Sequence, residues 1–138
     1  MRNLTPHALV LRLSTGEDVN LPPDAMGPAR VVSTSEVLDR CCDVPIVTSP
    51  VWGDVTGLPE PSACAFCEGS GVAACGTACD DCLTTGLVPL LVSSIVLGQC
   101  QGRRDVYGPD TSPAGAVRDE KGQIVAVRRL VAAPGVTS

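Results

Sequence analysis

The 138 residues predict a mostly β protein: a small antiparallel β domain, sandwich or barrel-like, with one short helix and an inserted cysteine-rich module. Three observations carry that expectation. Turn formers are abundant, with 14 Gly and 12 Pro set between runs rich in Val and Thr, which favours short strands over long helices. Aromatic residues are nearly absent: Phe66, Trp52 and Tyr107 are the whole set, so a core must be built from Val, Leu, Ile and Ala. Five of the eight cysteines crowd into CAFCEGSGVAACGTACDDCLTTG, residues 64–86. The length suits one domain, expected over 1–61 and 88–138, with 62–87 as the insertion.

Taken in order, HALVLRL (7–13) alternates as a strand, STGE turns, and EDVNL (17–21) returns as its hairpin partner. LPPD and MGP punctuate the chain before ARVVST (29–34), a third strand. SEVLDR (35–40) is either a short helix capped by Ser35 or an irregular link. VPIVTSPV (44–51) is a strand stopped by Pro50, and GDVTGLPEP (53–61) is a loop shaped by its glycines and prolines. LVPLLVSSIVLGQC (87–100) is a buried strand, or a strand running into a helix that starts near Ser93. GRRDVYGPDTSPAG (102–115) is a polar loop. AVRDEKGQIVAVRRLV (116–131) is a hairpin around DEKGQ, with Gly122 placed for positive φ. APGVTS (133–138) is expected to fray.

Within the cysteine segment, Cys64 and Cys67 form one CxxC, and Cys79 and Cys82 a second. Two facing CxxC turns bring four thiolates into a tetrahedron, the arrangement structural Zn²⁺ takes, so a zinc-ribbon-like module is expected. Gly69, Gly71 and Gly86 allow backbone N–H groups to approach the sulfurs without a Cβ in the way. Cys75 is an alternative ligand to Cys79. CAFCEGSG resembles the C-x-x-C-x-G-x-G repeat in the zinc module of J-domain chaperones; CDDCLTTG keeps the cysteines and last glycine but has Thr84 at the first glycine position. That resemblance implies a zinc fold and no chaperone activity. A catalytic zinc site needs an open position, usually beside a His or carboxylate ligand. The sole histidine, His7, is remote in sequence. Cys41, Cys42 and Cys100 are read as ordinary buried free cysteines.

Charge excludes more than it assigns. Residues 1–102 carry four Arg against eleven acidic residues, and 103–138 carry six basic residues against four acidic ones. No Lys or Arg occurs from 41 to 102, and Phe66 is the one aromatic in the cysteine segment, so a nucleic-acid surface is not expected. The N-terminal run is broken by Arg12 and lacks a small-residue cleavage site, so it does not read as a signal peptide. No stretch reaches the length of a membrane helix. A cytoplasmic protein is expected, in which clustered cysteines bind metal in preference to forming disulfides. No Ser/His/Asp, Cys/His or phosphate-loop constellation appears, so an enzyme is not expected.

A second resemblance lies outside the cysteines. RNLTPHALVL, VPIVTSPVWGDVTGLPEP and GRRDVYGPDTSPAGAVRDEKGQIVAVRRL resemble a family of small phage and prophage proteins, associated with the Thoeris anti-defence sponges. The resemblance implies a β-rich homo-oligomer in the infected bacterial host. It would sequester a cyclic ADP-ribose-type signal without catalysis. The cysteine module stands where such proteins pass directly from LPEP into an apolar strand. The residues that suit a diphosphate-containing ligand are Arg103, Arg104, Arg118 and Arg128, because a guanidinium fork donates two bonds at once. Asp105 and Asp110 suit ribose hydroxyls, and Tyr107 suits base stacking. Solvated cross-strand pairing is the other reading of Arg118 and Arg128, and packing under the YGPD turn that of Tyr107.

Overall fold

The computed structural model describes residues 1–137. The chain runs through β1 (Arg2–Asn3), β2 (Leu9–Arg12), β3 (Asp18–Leu21), β4 (Arg30–Thr34), β5 (Val37–Cys41), β6 (Val44–Val47) and β7 (Val51–Thr56). A single 3₁₀ turn (Asp80–Cys82) follows, then β8 (Leu90–Leu91), α1 (Ser94–Gly98), β9 (Val106–Pro109), β10 (Ala116–Arg118), β11 (Ile124–Val127) and β12 (Leu130–Ala132). Two four-stranded sheets, β1-β8-β9-β12 and β10-β11-β2-β3, form the body, and neither closes into a barrel. The fold is mostly β with one short α-helix, as expected. Three of the eight strand pairings are parallel (β1 with β8, β8 with β9, β11 with β2), so the body sheets are mixed where antiparallel ones were expected.

The core contains no aromatic side chain. Leu4, Ala29, Leu90, Val92, Val96, Leu97, Cys100, Val106 and Ala133 make one buried cluster, with Val31, Val55, Leu58 and Val136 packed at its margin. Ser93 caps α1 through a side-chain bond from the Val96 N–H, which settles the 87–100 stretch as strand into helix. The helix lies close on β9 because Gly108 has no side chain: a Cβ there would stand 2.9 Å from Leu97 Cδ2. The NLTPH opening is a polar clamp. Buried Asn3 donates to the carbonyls of His7 and Leu21 and accepts from the Thr5 N–H and hydroxyl.

Four expectations are corrected. SEVLDR is neither helix nor link but most of β5, paired antiparallel with β6. The segment read as a loop from Gly53 contains most of β7, which pairs with β4 across a bulge between Val31 and Ser33. GRRDVYGPDTSPAG contains β9, where Asp105 and Val106 are buried beside its start. The tail does not fray at Pro134–Val136: the Pro134 carbonyl accepts from Gly102 and the Val136 N–H donates to Ala133. Ser138, the last residue of that expectation, lies outside the described residues.

The 30–56 stretch forms an arm. β4–β7 and β5–β6 are two-stranded ribbons with no third strand on either side. Bonds from Thr48 N–H to the Glu36 carbonyl and from Glu36 N–H to Thr48 Oγ1 join one ribbon to the next. The tip turns at Cys42 and Asp43, both in the left-handed region at φ +52° and +65°. That is the geometry of a two-residue hairpin turn, a place usually given to Asn-Gly. Cys41 and Cys42 are exposed there, not buried as expected, because the ribbon has nothing packed on it.

Candidate functional site

The two CxxC segments fold as one motif used twice. In the first, Glu68, Gly69 and Gly71 take φ of +52°, +85° and +77°; in the second, Leu83, Thr84 and Gly86 take +52°, +65° and +77°. Ser70 N–H and Oγ both donate to the Cys67 carbonyl, and Thr85 N–H and Oγ1 do the same to Cys82. The halves interlock reciprocally: the Cys64 N–H donates to the Gly86 carbonyl, and the Cys79 N–H to the Gly71 carbonyl. Short antiparallel bridges, Ala63 with Leu87 and Val72 with Ala78, join the two halves at their ends. The two halves are thus related by an approximate two-fold, with Thr84 held where the first half has Gly69.

The glycines serve this interlock more than they serve the sulfurs. A Cβ on Gly71 would stand 2.3 Å from the Thr84 carbonyl oxygen, and one on Gly86 would stand 2.1 Å from that of Gly69. Each glycine is therefore the point where one half passes against the backbone of the other. Gly71 also donates its N–H to Cys67 Sγ at 3.3 Å. Gly69 has a plainer role, since a Cβ there would only touch Ala63 Cβ at 3.4 Å.

The result is a buried cluster of four thiols. Cys64, Cys67, Cys79 and Cys82 are 5 %, 6 %, 0 % and 0 % exposed, and their sulfurs all lie within 4.8 Å of one another. Cys67 Sγ and Cys82 Sγ are 3.6 Å apart. A tetrahedral ion with metal–sulfur bonds of ~2.3 Å sets sulfur pairs ~3.8 Å apart, so this spacing fits one metal ion. Cys75 is exposed and bonded to Thr77, so it does not replace Cys79. No carboxylate or imidazole joins the cluster among the described residues.

Electrostatics agrees with the geometry. Burial raises the Cys67 thiol, but the Gly71 N–H and then the neighbouring sulfurs outweigh it and bring Cys67 down to about 6. Burial, reinforced by the Cys82 sulfur, pushes Cys79 up to about 12. Four thiolates cannot share so small a volume unless a cation offsets them.

No family model, curated protein or solved structure matches this chain. The reading of the centre rests on its own geometry. Its four sulfurs can hold a metal ion and, once they do, complete a four-coordinate site.

The residues singled out for an anionic ligand do not converge on one place. Arg103 forks onto Asp105, with Nε to Oδ1 and Nη2 to Oδ2 both at 2.8 Å, and its Nη2 also donates to the Pro59 carbonyl. Asp105 is 1 % exposed, so this ion pair ties the strap leading into the metal module to the body. Tyr107 donates its hydroxyl to the Arg104 carbonyl. Arg118 is exposed and bonds the Gly122 carbonyl across its own hairpin turn. Asp110 accepts from Arg129, the neighbour of Arg128 in the chain.

Two of the surface openings carry arginines from the expected ligand set. A groove of about 420 Å³ is lined by Trp52, Asp54, Gln99, Gln101 and Arg103 among others. Arg103 already spends its charge on Asp105 there, which leaves Asp54 as the uncompensated group and disfavours a phosphate. A smaller crevice of about 220 Å³ opens where β2 and β11 part, beyond their single parallel register pair, Leu11 with Val127. Leu11, Leu13, Val127 and Leu130 line it together with Arg12, Arg128 and Arg129. Arg12 is held by Asp18, at 2.7 and 2.9 Å, and Arg129 by Asp110. Arg128 has no acidic partner among the described residues. Arg12 and Arg129 were not among the expected ligand residues; only the parallel pairing of β2 with β11, distant in sequence, brings them together. No helix among the described residues is long and apolar enough to cross a membrane.

Proposed function

We propose that this is a non-catalytic binding protein that sequesters a cyclic nucleotide-derived immune signal, of the cyclic ADP-ribose type, in the cytoplasm of an infected bacterial host. The observation that carries the reading is the crevice between β2 and β11. Its lining combines apolar residues with three arginines, two of them held by carboxylates and the third, Arg128, without an acidic partner among the described residues. Fixed arginines flanking a free one suit a phosphate, because little side-chain freedom is lost when the ligand arrives. The phage-type motifs at both ends and the middle of the chain support the same reading. Arg128 remains a ligand residue in it; Arg103 and Asp105 become structural.

Zinc is the metal assigned to the four cysteines, as a structural ion, since a complete thiolate shell leaves no position for substrate water. Calorimetric titration with cyclic ADP-ribose isomers and cyclic di- and trinucleotides tests the function. Saturable binding is expected, with the ligand returned intact on denaturation and affinity reduced at least tenfold by Arg128→Gln. Recovery of a hydrolysed ligand would overturn the sequestering role.

One observation favours a second reading, a protein-interaction module. Phe66, Val72 and Leu83 on the metal module are 65 %, 48 % and 40 % exposed. Absence of binding across the nucleotide panel, with loss of a protein partner on Phe66→Ala, would select it.

A further inference from the structure

We infer that the 30–56 arm is an interface between copies of this chain. The inference stands on the arm's surface and does not depend on the nucleotide reading. All nine residues of β5 and β6 are exposed, yet five of them are large and apolar: Val37, Leu38, Val44, Ile46 and Val47. Val32, Val51 and Trp52 continue the same surface along β4 and β7. Ile46 and Val47 are neighbours on β6, so they point to opposite faces, and both faces of the ribbon are apolar.

Three physical arguments bear on what covers it. A lone two-stranded ribbon is marginal in water, and this one has no layer beneath its outer half. Both of its long edges carry unpaired backbone groups, the usual template for another strand. At exposures of 37–68 %, these eight side chains present on the order of 800 Å² of surface over the two faces together, so a second arm that packs on both faces buries about what each partner of a standard-size interface contributes. A second copy of this chain brings the same apolar faces and the same open edges, so the patch is complementary to itself about a two-fold axis. The arm's charges are Arg30 and Asp54 at its root, Glu36 at the joint between the ribbons, and Asp39, Arg40 and Asp43 toward the tip, six in all against the eight apolar side chains.

Trp52, the sole tryptophan, lies within the arm and reports on it directly. Metal-loaded protein, kept reduced so that Cys41 and Cys42 at the tip cannot cross-link, is examined by sedimentation velocity from about 1 to 100 µM, with Trp52 emission followed in parallel. Association is expected, with emission shifting to the blue as concentration rises. The Leu38→Lys, Ile46→Lys double variant is expected to weaken association at least tenfold. Its metal content and its melting at 1 µM should be unchanged, because both positions are exposed in the single chain. A wild-type protein that stays monomeric at 100 µM overturns the inference, as does a double variant that associates as well as wild type.

Discussion

The metal module and the arm are both excursions from the same small body, and neither contains a conventional core. In the module the only buried cluster is the four cysteines themselves. In the arm's outer ribbon nothing is buried at all. The module nevertheless closes on itself, because a few sulfurs and two glycine crossings replace the apolar residues it lacks. The arm has apolar residues in plenty and nowhere within its own chain to put them. A segment short of core residues is completed by a cross-link, whereas one with a surplus is completed by a partner. Composition alone does not distinguish the cases; the reach of the side chains does.

The largest effect should come from breaking the cross-link. Cys79→Ser is expected to abolish stoichiometric metal binding and open the 62–87 stretch to protease. Apparent binding energies of ~10–16 kcal/mol act as folding energy in such modules. Metal content and cleavage-site mapping check this, and the arm's residues should remain as they were. Arg103→Ala comes next. It leaves the Asp105 carboxylate buried without its partner and releases the Pro59 strap, for an expected loss of about 3–5 kcal/mol in denaturant unfolding.

Gly86→Ala tests the interlock. Its Cβ meets a backbone oxygen that has little room to retreat, and an expected cost of about 2–5 kcal/mol combines overpacking with the positive φ. Gly76→Ala is the control: it shares the positive φ but meets nothing within 4 Å, so about 1–2 kcal/mol is expected. Thr84→Gly runs the other way. A β-branched residue at φ +65° is strained, and glycine there should raise stability by about 1 kcal/mol and make the two halves more alike. The smallest effect concerns the body. The Arg2 guanidinium, with help from the Met26 N–H, lowers Asp24 to about 2. A depressed carboxyl contributes stability above its unfolded value near 3.9 and loses it as pH falls toward 2. Melting curves of wild type and Asp24→Asn should therefore draw together between pH 4 and pH 2.

Much of this was legible in the residues and some was not, for reasons that differ by site. The CxxC spacing pointed to the four cysteines that the fold gathers, because each pair is held within a single turn. Ser93 and Gly122 marked a helix start and a hairpin for the same reason. β9 was hidden because Asp105 reads as a loop residue until Arg103 neutralises it in the fold. β7 was hidden by Gly53, which sits against the Val32 carbonyl at the bulge and looks like a loop break in isolation. β5 shows no strand period because neither of its faces meets the body, so no burial imposed an alternation. The crevice was missed at Arg12 and Arg129, since it exists only through the non-local pairing of β2 and β11.

The bridge between Ala63 and Leu87 carries a consequence for how such a chain is assembled over generations. Residues opposed in an antiparallel bridge stand only ~5 Å apart at their Cα atoms. The whole cysteine-rich loop thus leaves and rejoins the body at almost one point, as a pendant on a clasp. Excising residues 65–85 and splicing the ends with a short turn is expected to leave both body sheets standing. The same junction would accept a foreign loop in exchange, which makes this position a natural cassette site for diversifying the protein without redesigning its host.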